Sequence, residues 1–167
     1  MRISILHSEK LQAVVLAIRG FDRELQGQIR RATKQIGQPD WQSALHAQAS
    51  TTMETRVLAA TGRMTVSNQN VTLKSAAIGR PLSGGASPSL LARGVEHGAI
   101  PRVETITQRS RKGNRYTARR RVNAWARPVN RSGYVFYPAA ARMIPRFAAL
   151  WAQTTVRTIH EAFEKGH

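Results

Sequence analysis

The spacing of apolar residues divides the chain into helical ends and a β-rich middle. Arg2, Ile3, Ser4, Ile5 and Leu6 form a short alternating lead-in, read as a strand, and Ser8 with Glu9 has the chemistry of a helix start. Leu11, Val14, Val15, Ile18, Phe21, Leu25, Ile29, Ala32 and Ile36 then recur at three- and four-residue intervals. This predicts one apolar helical face over 8–37, bent at Gly20 and ended by Gly37 and Pro39. Asp40 opens a second predicted helix, 40–58, through Trp41, Leu45, Met53 and Val57, with a weak middle at Ser50-Thr51-Thr52. After Gly62, alternating residues on both sides of Asn68-Gln69 predict a tight hairpin over 63–74, with Val66, Val71 and Leu73 facing inward. Residues 78–89, with Gly79, Pro81, Gly84, Gly85 and Pro88, read as a mobile loop.

Towards the C-terminus, Asn130-Arg131-Ser132-Gly133 reads as a turn and Tyr134-Val135-Phe136-Tyr137 as an aromatic strand closed by Pro138. Ile144, Phe147, Leu150, Trp151, Val156, Ile159 and Phe163 predict a helix over 144–164 starting near Pro145. The pattern amounts to one α+β domain, in which a small antiparallel sheet is packed by long N-terminal and C-terminal helices. Its expected core includes Ile18, Leu25, Ile29, Val66, Phe136, Phe147, Trp151 and Ile159.

Charge changes this picture most between Arg102 and Arg131, where ten Lys or Arg residues face the single carboxylate Glu104. The whole chain carries +17, so more than half of the excess lies in this stretch. Val103, Thr105, Ile106 and Thr107 before Gly113-Asn114, and Tyr116, Thr117, Val122 and Trp125 after it, predict an extended basic hairpin arm over 102–125. Strands of about nine residues would reach ~30 Å. Arg119, Arg120 and Arg121 cannot all share one face of a strand, so both faces present positive charge. Such a ribbon is built to meet a partner, either nucleic-acid phosphate or an acidic neighbouring subunit. The candidate contacts are Arg109, Arg111, Lys112, Arg115, Arg119, Arg120, Arg121 and Arg127. Arginine greatly outnumbers lysine, which suits bidentate contacts to either kind of partner.

Other chemistry finds little support. The absence of cysteine excludes disulfides, thiol catalysis and cysteine-based zinc sites. No apolar run is longer than Ala13 to Ile18, far short of the ~20 residues of a membrane span, so a soluble protein made in the cytosol is expected, with no membrane partner. The histidines are scattered, and Glu96-His97, read as part of an extended segment, would point to opposite faces. With nine carboxylates in all, there is little from which to build a magnesium-dependent nuclease site. The Gly-rich loop leads to no Gly-Lys-Ser/Thr, and no Gly-x-Ser-x-Gly elbow occurs. No enzyme activity, metal or cofactor is expected.

The segment Ala92-Arg93-Gly94-Val95-Glu96-His97-Gly98-Ala99 follows the variable loop and precedes the basic insertion, and Gly133-Tyr134-Val135-Phe136-Tyr137-Pro138-Ala139 leads into the last helix. In this order, together with the N-terminal strand and helix and the central hairpin, the chain resembles the neck and tail-completion proteins of long-tailed bacteriophages. It departs from them in His97, where an aromatic is common, and in Met143-Ile144-Pro145-Arg146-Phe147, where a Pro-Phe-Leu run is usual. The resemblance implies a structural virion protein made in the host bacterial cytoplasm. It would form a ring of copies of itself, expected to be hexameric, around the DNA channel at the head–tail junction. Its implied partners are neighbouring neck, terminator or tail-tube proteins and the packaged double-stranded DNA. On this reading Glu96 and His97, with Tyr116 and Trp125, are expected at a subunit interface, Glu96 pairing with an arginine. The alternatives are a tail terminator ring capping the tail tube and, in a different class, a free basic nucleic-acid-binding protein.

Overall fold

The structure is a computed structural model that describes residues 1–4, 15 and 18–165. Its described elements are β1 (Arg2–Ser4), α1 (Arg23–Gln48), the short α2 (Thr52–Glu54) running into a π-helical turn (Thr55–Ala59), β2 (Arg63–Val66), β3 (Val71–Lys74), α3 (Pro88–His97), β4 (Arg102–Arg109), β5 (Arg115–Val122) and α4 (Phe136–Lys165). This is the expected α+β architecture. β1 and β2 each pair antiparallel with β3, giving a sheet of order β1-β3-β2, and β4 with β5 forms a separate ribbon. The expected helix start at Ser8, and Leu11 and Val14, lie outside the described residues.

The long predicted N-terminal helix is interrupted. Val15, Ile18 and Arg19 have helical backbone, but the chain turns at Gly20 and Phe21, and Asp22 caps a new helix by accepting from Leu25 N at 2.7 Å. Gln26 Nε2 secures the junction by donating to Ile18 O at 3.0 Å and Phe21 O at 2.9 Å. Helix α1 then passes through both Gly37 and Pro39, contrary to the expectation that they end it, and absorbs the start of the predicted second helix. Pro39 removes one i→i−4 bond, and the residues around the freed Gln35 carbonyl are exposed, so water can replace the lost donor. Gly37 is buried for a packing reason: a β-carbon there would lie 2.6 Å from Met64 Sδ. The break expected near Ser50 does occur, and Thr51 restarts the chain in a reciprocal capping box with Glu54.

The core lies between α1, α4 and the three-stranded sheet. Trp41, Leu45, Val57, Leu58, Met64, Leu73, Phe136, Phe147 and Trp151 are buried in it, and Trp41 meets Phe136 edge-on at 5.6 Å between ring centroids. Of the expected core residues, Ile18, Ile29, Phe136, Phe147 and Trp151 are buried, whereas Leu25, Val66 and Ile159 are only half-buried. Val156 and Phe163, expected on the packing stripe of the last helix, are 67% and 73% exposed. Thr154, Thr155 and Thr158 occupy the inward face instead. Thr155 and Thr158 can do so because their hydroxyls donate to the carbonyls of Trp151 and Thr154, both at 2.8 Å.

Helix α4 starts at Phe136, well before Pro145, so the predicted aromatic strand over 134–137 is the approach to this helix and its first turn. Pro145 lies inside it on an exposed side, next to exposed Arg146. The predicted loop over 78–89 also ends early, because Pro88 and Ser89 already belong to α3, with Ser87 in the N-cap position.

The edge of β2 shows how helix and sheet lock together. Gln38 of α1 accepts from Met64 N at 2.7 Å and donates to Gly62 O at 3.0 Å, so one amide side chain pairs both backbone groups of that edge. Replacing it (Gln38→Ala) leaves Met64 N without its acceptor in a half-buried place and Gly62 O with only the longer bond, 3.4 Å, from Gln42 Nε2. Urea denaturation is expected to show a loss of about 1–2 kcal/mol, with Gln38→Glu recovering only the Met64 bond.

Candidate functional site

Two parts make up the candidate site: the basic ribbon itself, and the knot that fastens its root to the body. In the ribbon, Arg102 opposes Val122, and the register continues through Glu104 and Arg120, Ile106 and Ala118, Gln108 and Tyr116, to Arg109 and Arg115 at the tip. The tip is a turn in which Gly113 N donates to Ser110 O at 2.9 Å and Ser110 N to Asn114 O at 2.8 Å, leaving Arg111 and Lys112 exposed at the far end. No residue of β4 or β5 is buried, and the two strands pack chiefly on each other. The expected arm is therefore present, with Arg109, Arg111, Lys112, Arg115, Arg119, Arg120 and Arg121 all exposed. Tyr116 is bonded across the ribbon, its Oη donating to Gln108 Oε1 at 2.7 Å, and is 48% exposed.

The root is built on Glu96. This residue is fully buried at the end of α3, and its carboxylate accepts from Val135 N at 3.1 Å, Phe136 N at 2.8 Å and Tyr137 N at 3.0 Å. These are the amides that the start of a helix leaves without partners. Pro138 has no N–H to satisfy, and Ala139 N donates to Val135 O at 3.1 Å, so every donor of the first turn of α4 is accounted for. The negative charge also sits at the positive end of the helix dipole. Gly133 makes room for it: φ is +78°, and a β-carbon would lie 2.1 Å from Glu96 Oε1.

Backbone bonds widen the knot. Tyr134 N donates to Glu96 O at 3.0 Å, Asn130 N to His97 O at 2.8 Å and Ala99 N to Arg127 O at 3.0 Å. His97 Nδ1 lies 3.1 Å from Asn130 O, and its ring packs on Tyr137 at 5.5 Å. The expectations for Glu96 are thus corrected: it lies on a helix, not in an extended segment, and its carboxylate is bonded to three backbone amides of its own chain, not to an arginine of this or a neighbouring subunit. His97 is half-buried in the same knot.

Arg127, expected among the partner contacts, is also engaged within the chain. It donates to Glu54 Oε1 at 2.9 Å and to Ser50 Oγ at 3.0 Å, and its guanidinium lies 3.8 Å from the centroid of the Tyr134 ring. Glu54 is buried and also accepts at Oε2 from Ser50 N at 2.8 Å, Ser50 Oγ at 3.1 Å and Thr51 N at 3.0 Å. Trp125 is half-exposed and covers Gly94, where a β-carbon would come within 3.0 Å of the indole. Arg127 and Trp125 therefore tie the arm to α2 and α3.

Among the described residues no group of three His, Asp or Glu side chains could hold a metal ion, and no helix is long and apolar enough to cross a membrane. The groove between α1 and α4, lined by Gln28, Ile36, Leu150, Thr154, Thr158 and Glu161 among others, contains neither a histidine nor a lysine.

Two expectations follow from the knot. Glu96→Ala strands three amides at the start of α4, two of them fully buried. Chemical denaturation should show a loss of about 3 kcal/mol or more, far beyond that of an exposed control such as Glu161→Ala. For Glu54, burial acts to raise the carboxyl pKa, but Arg127, Ser50 and Thr51 outweigh it and hold the value below the ordinary one. The unfolded chain then binds the proton first, so this stabilisation is complete above the ordinary glutamate value of about 4.3 and is lost as pH falls through the lowered folded value. The stability gap between wild type and Glu54→Gln should be flat above about pH 5.5 and narrow below about pH 4 in urea titrations.

Compared with protein-family models, with curated proteins and with solved structures, the chain matches none.

Proposed function

We propose that this chain is a structural virion protein of a long-tailed bacteriophage, a subunit of the neck or tail-completion ring at the head–tail junction. The observation that carries this reading is the arm: two eight-residue strands held out from the body, with no buried residue and a root fastened by buried, fully bonded groups. A part so firmly rooted and so little covered by its own chain serves contact with something outside it. Its charge would be self-repulsive without a partner.

The body supports assembly as well. Leu90, Ile100 and Val129 are 79%, 73% and 58% exposed, and they belong to α3 and to the segments that enter and leave the ribbon. Val156 and Phe163 are exposed on the outer side of α4. These apolar groups become buried when copies of the chain, six in the proposed ring, stand side by side. The ring surrounds the DNA channel, touches neighbouring neck, terminator or tail-tube proteins, and needs no cofactor and no catalysis.

Cryo-EM of particles and tail-enriched fractions from the phage that encodes the chain tests this directly. The expected result is a closed ring at the head–tail junction, with the arm of each copy reaching beyond its own subunit. A ring at the end of the tube would make the protein a tail terminator. Absence from particles, with recovery on nucleic acid from infected cells, would replace the proposal with a free nucleic-acid-binding protein.

A further inference from the structure

The two faces of the ribbon are chemically different. Residues directly opposed in an antiparallel pair share a face, and alternate residues along each strand return to it. One face therefore carries Val103, Thr105, Thr107 and Arg109 from β4 with Arg121, Arg119, Thr117 and Arg115 from β5. The other carries Arg102, Glu104, Ile106 and Gln108 with Val122, Arg120, Ala118 and Tyr116. Burial follows the same division: all eight residues of the first face are exposed, and the ribbon's half-buried positions, Glu104, Ile106, Ala118 and Val122, all fall on the second. The carboxylate is on the second face too, where Glu104 pairs with Arg102 and opposes Arg120.

From this asymmetry we infer that the face bearing Arg109, Arg115, Arg119 and Arg121 is a binding surface for the phosphate backbone of double-stranded DNA, read without regard to sequence. The inference names the arm's partner and rests on the reading of the arm as a contact element. Its face has four guanidinium groups, no carboxylate and three threonine hydroxyls, the donor set that phosphate oxygens accept from. It has one apolar residue, Val103, and no aromatic. A protein partner would favour an interface core rich in aromatic and aliphatic groups, and the ribbon's Tyr116, Ile106 and Val122 stand on the opposite face, beside Arg102, Glu104 and Arg120. A single strand would call for stacking platforms, and Tyr116 points to the other side. Dimensions agree with a duplex. A two-stranded ribbon fits the major groove of a duplex.

The test uses the full chain and a random-sequence DNA duplex of about 20 base pairs, with binding followed by fluorescence anisotropy across a salt series. The wild type should bind, with log K falling against log salt at a slope of about −4, or somewhat steeper if the tip residues Arg111 and Lys112 add contacts. Arg119→Ala with Arg121→Ala should flatten that slope by about 2. Arg102→Ala with Arg120→Ala removes equal charge from the other face and should leave the slope unchanged. No arm residue is buried, so both variants keep their fold, checked by circular dichroism and thermal unfolding. Equal losses in the two variants would overturn the face assignment. Binding to polyglutamate with none to the duplex would overturn DNA as the partner in favour of an acidic protein. Either failure leaves the ring proposal standing, whereas duplex binding by a chain absent from particles would remove the ring proposal and keep this one.

Discussion

A buried carboxylate must be compensated, and Glu96 finds its compensation in the backbone amides at the start of α4. That contact joins residues about forty positions apart, on either side of the basic ribbon. Everything between them is thereby a closed excursion whose two ends are held together. The approach to α4 is drawn against the end of α3, Gly133 takes up a left-handed conformation to admit the carboxylate, and Pro138 occupies the first-turn position whose donor no partner is needed for. The start of the longest helix and the root of the arm are thus set by one interaction.

Glu54 and Arg127 make a second fastening of the same kind. The carboxylate belongs to the capping box that restarts the chain after α1, and the guanidinium arrives from the far side of the ribbon and stacks on Tyr134. Charge and hydrogen bonds that hold the root are therefore distinct from the charge displayed by the strands. This separation explains how one short stretch tolerates so many arginines. Arg127, near the body, is paired and stacked, whereas the arginines of the strands are exposed to water, which screens part of the repulsion between them.

Much of the architecture was legible in the residues. The alternation on both sides of Asn68-Gln69 and of Gly113 marked both hairpins, because a strand exposes opposite faces in turn and the turn residues stand out. The first helix was harder. Gly37 and Pro39 are ordinary stop signals, yet α1 continues through them, since Met64 fills the space over Gly37 and the carbonyl freed by Pro39 lies among exposed residues, open to solvent. For α3 a signal was available in Ser87-Pro88 followed by Leu91, Ala92 and Val95, but the glycines and prolines of the preceding loop masked it. Val156 and Phe163 fit an apolar stripe by count, but the helix turns its threonines inward, which their bonds to preceding carbonyls allow.

By itself the sequence determined the α+β composition, the basic ribbon and the positions of its arginines along the strands, because these depend on local period, turn chemistry and formal charge. The tertiary structure decided which charges are displayed and which are engaged. Glu96 and Arg127 look like surface groups in a list of residues, and only the meeting of α3, α2 and the start of α4 turns them into buried or stacked fastenings. The difference between the ribbon's faces belongs to the same category. Alternation gave each strand two sides, but the pairing register decided that Glu104 stands opposite Arg120 and leaves Arg109, Arg115, Arg119 and Arg121 together without a carboxylate. Local chemistry is written residue by residue, whereas cancellation of charge depends on neighbours that only folding brings into contact.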